Sequence, residues 1–295
     1  MRLQATRFLV LIFIWLAAEW SPAQSDSDSK EPIRVVSWNL ENFFDRYDDP
    51  WRADERTKPA YVNSSREKRL AQLLRELDAD ILCLQEIENR FVLQKFVDQF
   101  LPDAGYEVVL FEGNDGRGID VAVLSKLPVG AVTSYRHLQF QDAEGRTHRF
   151  QRDLLRVRIG GALQADVFVV HLKSQHGGDA ADALRLAEAK QIAAVFQQEF
   201  KHQPEFRALL AGDFNDTPES PTLKAILQTG LVDACASTDK VSYNQKPYRS
   251  RIDFLLMSPA LAKDLKKAEI QEDETVLKAS DHNPVWAEFR PRNNP

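Results

Sequence analysis

The sequence predicts an α/β domain in which two β-sheets pack together and helices cover the outside. Two observations carry this. Short apolar runs of strand length recur through the chain, several of them nearly continuous in Val, Ile, Leu and Ala. Such runs suit strands covered on both faces. Stretches with helical spacing fall between them, and mixed elements of this kind pack as layered sheets with helices outside. Residues 33–291 show no internal repeat and no Pro/Gly/Ser linker, so they read as one domain.

In chain order, the strand-like runs are 33–38, 79–85, 106–111, 119–124, 154–159, 165–171, 207–211, 252–257 and 284–289. Ser64-x-x-Glu67 is a capping-box pattern, and Leu70, Leu73, Leu74 and Leu77 follow at helical spacing. Residues 90–100 form a second helix candidate. Residues 179–200 form the longest, with Ile192, Val195 and Phe196 on one face. Ser220-Pro221 opens a fourth over 220–228, because proline suits the first helical turn.

The N-terminus reads as a separate segment. Arg2 and Arg7 precede the apolar run Phe8–Ala18, and Ser21-Pro22-Ala23 offers the small residues of a cleavage site. Residues 1–23 are therefore expected to be a secretory signal peptide, too short in its apolar part to span a bilayer. Residues 24–32 are polar and read as a flexible leader. The expected location is periplasmic or secreted, with no stable membrane insertion after cleavage. Export permits a disulfide between Cys83 and Cys235, but Cys83 lies in an apolar run and reads equally as a buried thiol.

The formal net charge of the 295-residue chain is −6. That argues against a generally basic nucleic-acid binder but leaves a nuclease open, since a bound metal supplies local positive charge. No protein partner can be inferred.

The informative pattern is that successive apolar strands end in residues able to hold a metal or move a proton. They lead into Asn39, into Gln85-Glu86, into His171-Leu172-Lys173 and into Gly212-Asp213-Phe214-Asn215. Asp253 stands inside an apolar run, where an unpaired acid is costly, and Asp281-His282-Asn283-Pro284 leads into the last strand. Singly, most of these are turn residues. Together, on one edge of a rigid sandwich, they suit metal-assisted phosphoester hydrolysis. Carboxylate and amide oxygens are hard ligands for Mg²⁺ or Mn²⁺. P-loop, nucleophile-elbow and His-Glu-x-x-His motifs are all missing from the sequence.

These residues, with Trp38-Asn39-Leu40-Glu41-Asn42, Gly118-Ile119-Asp120-Val121-Ala122 and Ser280-Asp281-His282-Asn283-Pro284, occur in an order that resembles the endonuclease/exonuclease/phosphatase superfamily. The Glu41–Pro59 and Arg117–Asp120 stretches look most like its exported bacterial branch. The resemblance implies a four-layered α/β sandwich and a divalent-metal-dependent phosphodiester hydrolase, with a nuclease the first expectation. It implies Glu86 as principal metal ligand with Asn39 and Asp281 nearby. It implies Asp213 as the group that activates water beside Asn215, and His282 as a phosphate contact oriented by Asp253. His171 would contact the phosphate or assist the leaving oxygen. A phospholipid phosphodiesterase or a phosphomonoesterase uses the same chemistry, and a non-catalytic binding protein is the alternative of another class.

Lys173 and Arg251 adjoin motif residues and are candidate phosphate contacts; Arg117 and Arg152 read equally as structural ion pairs. Residues 240–251 hold Lys240, Lys246, Arg249 and Arg251, two tyrosines and no acid. That composition suits a rim for nucleic-acid strands, with Lys246 and Arg249 expected to hold phosphates.

Overall fold

The computed structural model describes residues 31–47 and 62–292. The predicted signal peptide and all but the last two residues of the leader lie outside the described residues. Among the described residues, no helix is long and apolar enough to cross a membrane.

The strands in chain order begin with β1 (Ile33–Phe43), β2 (Ile81–Ile87), β3 (Glu107–Leu110) and β4 (Asp120–Ser125). Next come β5 (Val129–Ser134), a small hairpin of β6 (Phe140–Gln141) and β7 (Thr147–His148), then β8 (Leu155–Ile159) and β9 (Ala165–His171). The chain closes through β10 (Ala208–Asp213), β11 (Val232–Asp233), β12 (Asp253–Met257), β13 (Leu265–Ile270) and β14 (Val285–Phe289). They form two mixed six-stranded sheets, ordered β13-β14-β1-β2-β4-β3 and β11-β12-β10-β9-β8-β5.

The helices are α1 (Ser64–Leu77), α2 (Arg90–Phe100), α3 (Asp179–His202), α4 (Pro221–Leu227) and the short α5 (Pro259–Ala262). The continuous apolar runs have the expected cause. On β2, Ile81 and Cys83 join an inter-sheet core with Val167, Val169, Leu209 and Ala211. Leu82 and Leu84, on the opposite face, pack with Leu70, Leu74 and Phe96 of α1 and α2. On β9, Phe168 and Val170 face Ile192 and Phe196 of α3. Three cores separate four layers: helices, sheet, sheet, helices.

The structure corrects the sequence reading at the edges. Strands β5, β11 and β13 were not predicted, and each is an edge strand. β5 and β13 have one fully buried residue between them, Ile270, and β13 carries the exposed Lys266 and Lys267, which blunt an open edge. The N-cap of α1 is Asn63, one residue before the expected capping box; its side chain accepts from the N–H groups of Ser65 and Arg66. Both cysteines are buried free thiols of the inter-sheet core, so no disulfide joins them.

Replacing the cap separates the two readings of α1. Asn63→Ala should cost about 1 kcal/mol in chemical denaturation, whereas Ser64→Ala should be near neutral. The reverse order would restore the capping box.

Candidate active site

Strand register brings the polar strand ends together. On the second sheet, Asp213 of β10 pairs with His171 of β9 on one side and Asp253 of β12 on the other. One residue earlier, Gly212 has φ 144°, and a Cβ there would lie 2.0 Å from the carbonyl oxygen of Val170. Only glycine allows β10 to hold that register against β9.

Asp213 is almost completely buried. Its Oδ1 accepts from the N–H of Asn215 at 2.8 Å, and its Oδ2 accepts from Asn39 Nδ2 at 3.1 Å. Nε2 of His171 and Nε2 of His282 lie 3.5 and 3.8 Å from the same Oδ2. Burial first, and then the neighbouring Asp253, push the carboxyl of Asp213 up to about 7.

Asp253 is the acid that the sequence placed in an apolar run, and it has a partner: its Oδ2 lies 2.8 Å from Nδ1 of His282. Burial opposes a charge on His282, but Asp253 outweighs it, raising the imidazole to about 10. Trp38 Nε1 donates to the His282 carbonyl at 2.8 Å, the His282 N–H donates to Ser280 Oγ, and Tyr243 packs its ring 5.0 Å away. His171 is the opposite case. Burial, then Arg152, Arg117, His282 and Lys173, hold it well below the ordinary histidine range. Its Nδ1 has no hydrogen-bond partner among the described residues. One neutral and one cationic imidazole thus flank the same carboxylate.

A second acidic group comes from the first sheet. Glu86 Oε2 accepts from the Asn42 N–H at 2.7 Å, and Glu41 Oε2 accepts from the Asp281 N–H at 3.2 Å. Burial and then Asp281 raise Glu41; burial also raises Asp281, with Glu86 adding to it and His282 opposing. Arg66, 3.8 Å from Glu41 Oε2, is a nearby countercharge. Three mutually repelling carboxylates supply hard oxygen donors of the kind Mg²⁺ or Mn²⁺ takes, although among the described residues these three do not bring one ligand atom each within 4.8 Å of one another. Asp213, Asp253 and His282 do offer ligand atoms within 4.8 Å of one another. There the bond between Asp253 and His282 already engages both partners, which suits proton handling better than a cage.

Glu41, Glu86, Asp281, Asp213, Asn215, His171, His282 and Lys173 all line one cleft of about 1300 Å³. Other predicted positions differ. Asn39 is buried with its amide nitrogen given to Asp213 and its Oδ1 accepting from the Glu41 N–H, so it braces the carboxylates from behind. Arg251 is a structural residue: it pairs with Asp233 at 2.7 Å, donates to the Cys235 carbonyl and covers the Phe254 ring. Lys246 does not line the cleft, and Lys240 is held by Glu269 at 2.6 Å. Of the four charges in the expected strand-binding rim only Arg249 borders the cleft, beside Tyr243 and Tyr248.

Arg117, Arg152 and Lys173 form a basic wall of the cleft that also holds Asp115, 3.6 Å from Arg117 Nε. Arg152 pairs with Asp115 at 2.9 Å, and its buried Nε has no hydrogen-bond partner among the described residues. Sequence reasoning assigned no role to Glu41 and did not single out Asp115. Glu41 stands two residues after Asn39, but the strand kinks there into left-handed backbone, which alternation does not reveal.

The endonuclease/exonuclease/phosphatase family model matches residues 36–282. No curated protein sequence matches the chain. Among solved structures, the chain is similar to the catalytic domain of human Nocturnin with a bound sulfate anion, at 17% identity and TM-score 0.63, covering 88% of this chain and 95% of that one. It is similar to a mannosyl-6-phosphatase from Bacteroides thetaiotaomicron, at 19% identity and TM-score 0.60, covering 87% and 99%. It is also similar to an AP endonuclease from Archaeoglobus fulgidus, at 21% identity and TM-score 0.58, covering 87% and 99%. At these identities the likeness shows the shared fold.

The charge on His282 is directly measurable. A histidine raised in the folded state contributes stability that is complete below its ordinary value of 6.5 and is lost as pH rises toward about 10. Imidazole ¹⁵N NMR should find His282 protonated through neutral pH, and Asp253→Asn should move its titration downward. A wild-type His282 that titrates in the ordinary histidine range would sink the pairing argument.

Proposed function

Because this chain belongs to the endonuclease/exonuclease/phosphatase family, we propose that it is an exported, divalent-metal-dependent phosphodiester hydrolase with nucleic acid as its first substrate class. The observation that carries the reading is Asp213. It is a buried carboxylate whose Oδ2 lies 3.5 Å from Nε2 of His171 and 3.8 Å from Nε2 of His282, the latter bonded to Asp253, in a cleft that three further carboxylates line.

Each group has a task. Asp213, oriented by Asn39 and Asn215, accepts a proton from water aimed at phosphorus. His282, held in its charged form by Asp253, donates to a phosphoryl oxygen whose charge grows in the transition state. His171 stays neutral, so its Nε2 can bond to the phosphate or receive a proton in turn. Glu41, Glu86 and Asp281 would hold the cation, with Glu86 as principal ligand. When bound, such an ion polarises the phosphoryl group and neutralises its charge. Lys173, Arg152 and Arg117 balance the remaining phosphate charge, and Tyr248 and Arg249 border the path of a longer substrate.

The size of the cleft favours a substrate larger than a simple phosphoester. A phosphomonoesterase is the second reading, because three cations gathered on one wall suit the dianion of a terminal phosphate. Export rests on the N-terminal sequence; the mature protein is expected to begin near Gln24 outside the cytoplasm, which N-terminal sequencing decides.

Hydrolysis should stop on exhaustive EDTA treatment and return with Mg²⁺ or Mn²⁺; full activity in EDTA would reject the metal. Glu86→Ala should weaken the apparent metal affinity. Asp213→Asn and His282→Ala should each lower kcat by roughly two orders of magnitude with the fold intact. Asp253→Asn should mimic His282→Ala without adding to it, and additive losses would separate the pair.

A panel of single-stranded and duplex DNA, RNA, a chromogenic bis-ester and sugar phosphates sets the substrate class. Preference for the monoesters would overturn the nuclease reading and favour the second.

A further inference from the structure

The basic wall is held from behind by α3. Glu188 is 1% exposed on this helix, among residues otherwise suited to a core. Its Oε1 accepts from the N–H of Gln151 at 2.9 Å, and its Oε2 accepts from the N–H of Lys173 at 2.8 Å. Gln151 immediately precedes Arg152 in the chain. The two oxygens of one carboxylate thus tie together the two segments that carry Arg152 and Lys173.

Arg185 completes the clamp one helical turn earlier. Its Nη1 donates to the Lys173 carbonyl at 3.2 Å, its Nη2 to Asp182 at 2.7 Å and its Nε to Asp216 at 3.1 Å. Asp216 in turn accepts from Thr222 Oγ1 at 2.7 Å. Lys173 is therefore held at both its N–H and its carbonyl by side chains of α3. The adjoining Leu172 carbonyl accepts from Arg152 Nη1 and Asn215 Nδ2, at 3.1 and 3.0 Å. A buried carboxylate is costly, and an apolar side chain would fill its place at lower cost. What only the carboxylate offers is two acceptors directed at two separate backbone segments.

Resting on the phosphoesterase reading above, we propose that Glu188 is a positioning residue that sets the spacing of Arg152 and Lys173 for a substrate phosphate. It touches neither substrate nor reacting atoms. Its loss acts on anion binding, while the proton transfers at Asp213 and His282 keep their geometry.

Glu188→Gln tests this, because an amide has one acceptor and turns an NH₂ toward the second N–H. The variant should raise KM for a charged phosphoester, and the inhibition constant of inorganic phosphate, by roughly tenfold, with a smaller change in kcat. The apparent Mg²⁺ affinity should be unchanged. Hydrogen–deuterium exchange should accelerate over residues 149–153 and 172–176. A loss confined to kcat, or an unchanged phosphate inhibition constant, would overturn the proposal. So would unchanged exchange in both segments.

Glu188→Asp, which keeps both oxygens but shortens their reach, gives the same readouts if the glutamine variant does not fold. Absence of any phosphoester hydrolysis by the wild type would overturn the phosphoesterase reading itself, and the exchange measurement would still report whether the two segments are clamped.

Discussion

Two carboxylates share one register position in the middle of a sheet, and much of the site is arranged around that fact. Asp213 and Asp253 are paired residues on adjacent strands, both almost fully buried. Like charges in such a place cannot both be left to ionise without compensation. His282 supplies it, bonded to Asp253 at 2.8 Å and within 3.8 Å of Asp213. The imidazole comes from the other sheet's end of the chain, just before β14, so it also joins the two sheets at their shared edge. Trp38, Ser280 and Asn39 extend that joint: each connects the end of β1 with the 280–282 turn or with Asp213. Stability and chemistry are coupled here, because the group that offsets the buried charge is the group proposed to meet the phosphate.

The cleft is electrically divided. Glu41, Glu86 and Asp281 form one group of lining residues, and Arg117, Arg152 and Lys173, with Asp115 between the two arginines, form another. Burial first, and then the basic group, keep His171 neutral, while His282 is held charged by carboxylates. Two histidines of identical intrinsic chemistry are thereby assigned different protonation states by position alone. The net negative charge of the chain is no obstacle to binding a phosphate, since the relevant charge is local.

The parts of this design that were legible in sequence were those with a local cost. Asp253 stood out because an acid between Ile252 and Phe254 requires a partner. His171, Asp213 and Glu86 stood out because each ends an apolar run, and a strand that loses its apolar pattern has reached an edge. Two packed sheets with helices outside followed from runs covered on both faces and the helical stretches between them. Features whose cause is distant were not legible. β5 and β13 have exposed faces and weak patterns because each pairs on one side only. Arg251 was misread because proximity to Asp253 in sequence says nothing of Asp233, its actual partner. Glu188 sits in an alanine-rich helix, where a glutamate reads as facing solvent until the N–H groups of Gln151 and Lys173 are brought to it.

Backbone strain gives the last link between fold and site. Six non-glycine residues among the described ones have positive φ: Glu41, Asn42, Asp78, Glu86, Gln164 and Asn215. Asp78 closes α1, where a left-handed residue is a usual helix ending. Glu41, Asn42, Glu86 and Asn215 all line the cleft. A strand that continued in regular alternation past Asn39 or Gln85 would send successive side chains to opposite faces. The left-handed turns break that alternation, and both ladders slip register at these points. Glu86 is thereby brought onto the N–H of Asn42, and Glu41 onto the N–H of Asp281. Each such conformation costs of order 1–3 kcal/mol and persists only where the surroundings over-determine it. The rigid sandwich behind the site provides those surroundings, so its large core does more than keep the chain folded. It holds strained backbone in place, and that backbone gathers the carboxylates into one cluster.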